Sequence, residues 1–122
     1  MARSLETFLA AVALGVCGPG QAADPLLREF AVCAGRYSAL VEHQWLVDGP
    51  GSEVSAVQRD ALLSLVGAVL PDDMAATAMG WRIEAKVAQR ALLSRAHFGG
   101  DAFAEKRSAQ LLQACADLIG QS

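Results

Sequence analysis

Few residues in this chain could do chemistry, and each class can be weighed by its spacing. The sequence holds two histidines, His43 and His97, and three cysteines, Cys17, Cys33 and Cys115. His43 lies near the end of one helical segment and His97 near the end of a second, parallel one, so both imidazoles are expected at one end of the molecule. Asp101, Glu105 and Glu53 are expected there too, which on paper makes a His₂-carboxylate metal set. Against it, both histidines sit off the apolar faces. Neither follows a Glu by three residues, the spacing of ligands that point into a helical bundle. A histidine near a helix C-terminus is also favoured by the helix dipole alone. No metal ligand is assigned, and a metal-binding or enzymatic role for the His43/His97 end stands as the alternative reading.

Other catalytic and cofactor chemistry finds less. Covalent haem needs Cys-x-x-Cys-His, which is absent. Met74 and Met79 are expected at the opposite end from His43, so no Met/His axial pair forms. Ser38, Ser55, Ser64, Ser94 and Ser108 lie on helices without a Gly-x-Ser-x-Gly elbow. No catalytic residue and no cofactor is expected, and the chain is not read as an enzyme.

Two features are candidates for partner binding. Arg82, Lys86 and Arg90 recur every four residues on one helix, where like charges repel mildly and gain nothing from one another. They are expected either to be solvated, with acidic partners on other helices, or to dock an acidic protein surface or lipid headgroups. Trp45 stands near the end of the first helix, one step off its apolar line. It is expected to close the core as a lid; exposed, it would be a binding hot spot.

The cysteines divide by position. An apolar run from Phe8 to Cys17 follows Arg3 and is broken by Gly18-Pro19-Gly20, which is the pattern of an export signal and too short to span a bilayer. Small residues at Gly20 and Ala22 place cleavage after Ala22, so 1–22 is expected to be a signal peptide and 23–122 one helical domain. Cys17 would be lost with the signal; a lipoprotein reading, with Cys17 acylated, is the lesser alternative because Val16 precedes it. Cys33 and Cys115 remain, each on the apolar stripe of its helix, and in an antiparallel bundle they reach nearly the same level. They are expected to form a structural disulfide in an oxidising compartment. Closing a loop of about 80 residues would stabilise the fold by at most ~4–5 kcal/mol.

The elements that must position these residues are helical. The chain is 122 residues long, 53% hydrophobic and 19% charged, which excludes a disordered tail. Net charge −3 and a pI near 5.2 argue against a nucleic-acid module. Asp24-Pro25 is expected to start the first helix, with Leu26, Phe30, Cys33, Tyr37 and Leu40 as its stripe, and Asp48-Gly49-Pro50-Gly51 to end it. A second helix opens at Gly51 or Ser52, buries Val54, Val57, Ala61, Leu65 and Val69, and stops at Pro71. Asp72-Asp73 are expected to cap a third, which buries Met74, Ala78, Trp81, Ala85, Ala88 and Leu92 and ends at Gly99-Gly100. Asp101 caps a fourth, with Ala104, Ser108, Leu111, Cys115 and Leu118 inward. Gly35, Gly67 and Gly80, inside helices, suggest close helix approach or bending. Short connections force neighbours antiparallel, so the fold expected is an all-α, up-down-up-down four-helix bundle behind a cleavable signal. The function expected is protein binding, as an exported accessory or adaptor of an unknown envelope protein, periplasmic or secreted, with no transmembrane segment in the mature chain.

Overall fold

A computed structural model describes residues 20–120, with side chains from Pro25 onward. Four helices follow one another: α1 (Gly20–Val47), α2 (Gly49–Val69), α3 (Ala75–Gly99) and α4 (Ala102–Leu118). Among the described residues there is no strand, so the all-α expectation holds. No helix in that range is long and apolar enough to cross a membrane. The expected signal segment lies outside the described residues up to residue 19.

The punctuation of the chain works mostly as read, with three corrections. α1 is already helical at Gly20, so Pro25 sits inside it and Asp24 is not its N-cap. Gln21-Ala22-Ala23 carries helix propensity that extends the helix backwards, although Pro25 leaves the Gln21 carbonyl without its helical donor and crowds it with its ring. The break between α1 and α2 narrows to Asp48, which is itself the N-cap: its carboxylate accepts the Gly51 N–H at 3.1 Å. Pro50 then stands in the first turn, where its missing N–H costs nothing. A Cβ on Gly51 would lie 2.3 Å from the Asp48 carboxylate, so a side chain there would turn the capping group aside. Asp72 and Asp73 do not cap α3. The backbone closes that turn instead, Met74 N–H donating to the Pro71 carbonyl, and Met74 takes the N-cap position without a side-chain bond.

The last connection is as expected. Gly100 adopts φ 62°, which L side chains avoid, and ends α3 by turning the chain so that the Asp101 N–H donates to the Arg95 carbonyl at 3.1 Å. Asp101 accepts the Ala104 N–H at 3.0 Å and starts α4.

α1 is the central element. It packs along both α2 and α3 and touches α4, while α2 and α3 lean on α1 rather than on each other. Its burial is accordingly wider than one stripe: Leu27, Phe30, Ala31, Cys33, Ala34, Tyr37, Ala39 and Val41 are all buried. Two clusters make up the core. Leu27, Phe30 and Ala31 meet Val66 of α2 and Ala78 of α3, with Trp81 packed alongside. Cys33, Ala34 and Tyr37 meet Leu62 of α2 and Cys115 of α4. Cys33 and Cys115 are joined by a disulfide, their Cα atoms 5.4 Å apart, which ties α1 to α4 across a separation of 82 residues.

The expected stripes hold on α4, on α1 except at the exposed Leu26, and along most of α3, where Ala78 is buried and Met74 and Trp81 pack on the core; on α2 only Leu65 and Val69 of the expected line pack inward. α2 buries Ser52, Ser55, Leu62 and Val66, and leaves Val54 and Val57 exposed. α3 buries Ala78, Gln89 and Leu93, and leaves Met79, Ile83 and Val87 exposed. Of the three interior glycines only Gly35 marks a close approach. A Cβ on it would lie 2.2 Å from the Arg82 carbonyl oxygen, whereas Gly67 and Gly80 face open space.

Candidate functional site

Because α2 and α3 part over α1, a groove of about 420 Å³ opens between them. Gly35 and Ser38 lie in its floor, Arg59, Asp60 and Leu63 come from α2, and Met79, Arg82, Ile83 and Lys86 come from α3. The close contact at Gly35 sets the depth of this floor, since any side chain there would push α3 away.

The groove's charges are unevenly matched. Arg59 Nε pairs with Asp60 at 3.1 Å on its own helix. Glu42 of α1, which also lines the groove, accepts from Lys86 and, at 2.6 Å, from Arg90 Nη2. Burial raises the Glu42 pKa, but the hydrogen bonds and charges of Lys86 and Arg90 outweigh it, and the carboxyl is held below the usual glutamate range. Two of the three cations in the stripe therefore share one carboxylate, so the expectation of acidic partners on another helix holds for Lys86 and Arg90. Arg82 is different. Among the described residues it forms no ion pair; one Nη lies 3.9 Å from the Met79 sulfur, and its buried Nε has no acceptor.

The opposite feature is the end where α1 and α3 finish. His43 and His97 come together there, ring centres 5.4 Å apart and nearly perpendicular. Phe98 packs edge-on against both, at 6.1 Å from His43 and 4.8 Å from His97. Burial, then the neighbouring His97, lowers the His43 pKa. Both rings line a hollow of about 370 Å³ that also holds Glu105 and Ser108 of α4. Asp101, expected in the metal set, is committed to capping α4 and faces Arg95 at 3.8 Å. Among the described residues no three His, Cys, Asp or Glu side chains stand close enough together to hold a metal ion.

Trp45 is not a lid. It is 65% exposed, with Leu46 at 77% and Phe98 at 66%, and these three share a shallow hollow with His43 and Arg90. The buried α2 residues after the Asp48 cap are serines, Ser52 and Ser55, so the core there is filled by small groups and does not extend to Trp45. Cys17 lies outside the described residues. Reading the sequence missed Glu42, which ties the stripe to α1, and Phe98, which braces the imidazoles. Glu42 stands one residue before His43 and Phe98 one after His97, so the expected pairing of the two helix ends already placed both near the site.

The chain matches no family model, no curated protein and no solved structure. Its function is therefore argued from the groove and the helix end alone.

Proposed function

We propose that this chain works by binding another protein, and that the α2/α3 groove receives an acidic, partly apolar segment of that partner. The observation that carries the reading is Arg82, a guanidinium on the groove wall whose buried Nε has no acceptor and which, among the described residues, pairs with neither Asp60 nor Glu42 in the same groove. A buried polar group without a partner costs about 1–3 kcal/mol, more when charged, so an incoming carboxylate is the natural complement. Met79 and Ile83, exposed beside it, offer apolar contact to the same segment.

The wider setting belongs to the same proposal. The molecule is an exported accessory or adaptor of an envelope protein, acting in the periplasm or as a secreted chain. Pairing of Cys33 with Cys115 suits an oxidising compartment. Cleavage after Ala22 would also bring Pro25 into the first turn of α1, where proline is tolerated. The helices run alternately up and down. That order is supported by Leu62 packing beside Cys33, Gln89 facing Ser108, and the ends of α1 and α3 meeting at the two histidines.

Site-specific photocrosslinking in an envelope extract tests the docking. A crosslinker at Ile83 should capture one partner of reproducible mass, and Arg82→Glu should reduce that yield at least tenfold. The same crosslinker at Gln110, exposed on α4, is the control. Equal products from both positions, or a yield indifferent to Arg82→Glu, would discard the groove.

A further inference from the structure

We infer that His43 and His97 form a two-imidazole site for a late first-row divalent cation at the joined ends of α1 and α3. The site is independent of the groove, and its failure would leave the docking proposal untouched.

The geometry carries the inference. A bound divalent ion sits about 2.0–2.1 Å from an imidazole nitrogen, and the ring centre lies a little over ~1 Å further on. Each ring centre is then about 3.2 Å from the ion, and a near-tetrahedral angle places the two centres about 5.2 Å apart. The observed separation is 5.4 Å, with the rings nearly perpendicular. The ring centres already stand at that spacing, so a bound ion asks only for rotation of the imidazoles about their side-chain bonds. The α1/α3 interface that holds them is fixed by the backbone approach at Gly35, and Phe98 packs on both rings.

The chemistry selects the ion. Imidazole nitrogen suits copper, nickel and zinc, and affinity at such a set rises from nickel to copper and falls again at zinc. Magnesium and calcium take oxygen ligands and do not compete. With two protein ligands the ion keeps its remaining positions for water or a small anion. The hollow lined by both rings, with Glu105 and Ser108 on its far wall, gives those ligands room. Glu105 is exposed, and among the described residues no third side chain completes a closed site, so the site is an open one.

The test is titration calorimetry of Cu²⁺, Ni²⁺ and Zn²⁺ into the tag-free full chain carrying Cys17→Ser, which removes the third cysteine as a competing ligand. The expected result is one ion per chain, copper tightest, with Mg²⁺ and Ca²⁺ giving no heat. His43→Gln and His97→Gln should each weaken binding at least tenfold, and the double variant should bind no better than background. Wild-type binding equal to that of the double variant overturns the site, as does a single variant that keeps full affinity. A measurement on the unsubstituted histidines guards against misfolded variants. Substoichiometric Cu²⁺ should broaden the imidazole proton resonances of both rings together, and broadening of one ring alone, or of neither, overturns the site equally.

Discussion

Gly35→Ala is expected to destabilise the molecule although alanine is the better helix former. The new Cβ would lie 2.2 Å from the Arg82 carbonyl oxygen, 3.0 Å from its carbon and 3.1 Å from Ala85 Cβ. The obstacle is the backbone of α3, so no side-chain rotation relieves it, and α1 and α3 must separate by about 1 Å to restore van der Waals contact. Overpacking of this kind costs about 1–3 kcal/mol, and a backbone obstacle belongs at the upper end. Helix propensity returns about 1 kcal/mol. The net loss is then about 2 kcal/mol, or roughly 10 °C in the thermal midpoint of a domain this size. Gly67 and Gly80 supply the internal comparison, because a Cβ at either meets nothing within 4 Å. Gly67→Ala and Gly80→Ala should each stabilise by about 0.5–1 kcal/mol. Thermal and urea melts followed by far-ultraviolet circular dichroism measure all three. A Gly35→Ala chain as stable as the parent would mean that α1 and α3 are not in backbone contact, and the depth of the groove would have to be reargued.

Three further outcomes are expected. Replacing Cys33 and Cys115 together by Ala should lower the thermal midpoint by about 10 °C or more, from a loss of about 2–4 kcal/mol; two free thiols per chain beyond Cys17, counted on denatured but unreduced protein, would mean there is no staple to lose. Glu42→Gln should cost up to about 1 kcal/mol at neutral pH, since the ion pairs it breaks are partly exposed. Because the Glu42 pKa is lowered on folding, its contribution is present above the usual glutamate range and fades as pH falls through the folded value, so the gap between parent and variant in urea melts should close in acid, and a gap constant with pH would contradict the ion pairs. Gln89 is 1% exposed, donates to Ser108 Oγ at 2.8 Å and leaves its own carbonyl oxygen without a partner; Gln89→Met removes that orphan oxygen but also the donor to buried Ser108, so it should cost less in the same melts than Ser108→Ala, which strands the Gln89 amide and should cost about 1–2 kcal/mol.

How much of this could be read from the chain varies by element, for physical reasons. Breakers and caps act locally, so Asp48, Gly100 and Asp101 could be placed at helix ends from their types and neighbours. The stripes of α1 and α4 were legible because only one apolar line runs along α4, and because α1 is buried on nearly every side. α2 offers two apolar lines, and the expected one, Val54-Val57-Ala61-Leu65-Val69, faces outward over its first three residues and packs inward only at Leu65 and Val69, while Leu62 and Val66 of the other are buried. The inward choice follows from how closely α1 passes, which favours Ser52 and Ser55 over larger side chains, and periodicity carries no information about a neighbour's distance. On α3 the expected line through Met74, Ala78 and Trp81 does face the core, and what its period did not supply is the burial of Gln89 beside it. The meeting of His43 with His97 followed from helix direction alone. The isolation of Arg82 did not, since it depends on Glu42 choosing Lys86 and Arg90.

The position of α1 between its neighbours bears on how such a molecule can diverge. Each wall of the groove is fastened to α1 and scarcely to the other wall, so a substitution on the open side of α2 or α3 is absorbed where it occurs. Val54, Val57, Met79, Ile83 and Val87 can drift singly without recasting the interior, while Leu27, Gly35 and Tyr37 answer to several partners at once. One helix thus carries the inheritance of the shape, and the two beside it are free to acquire new recognition, one wall at a time.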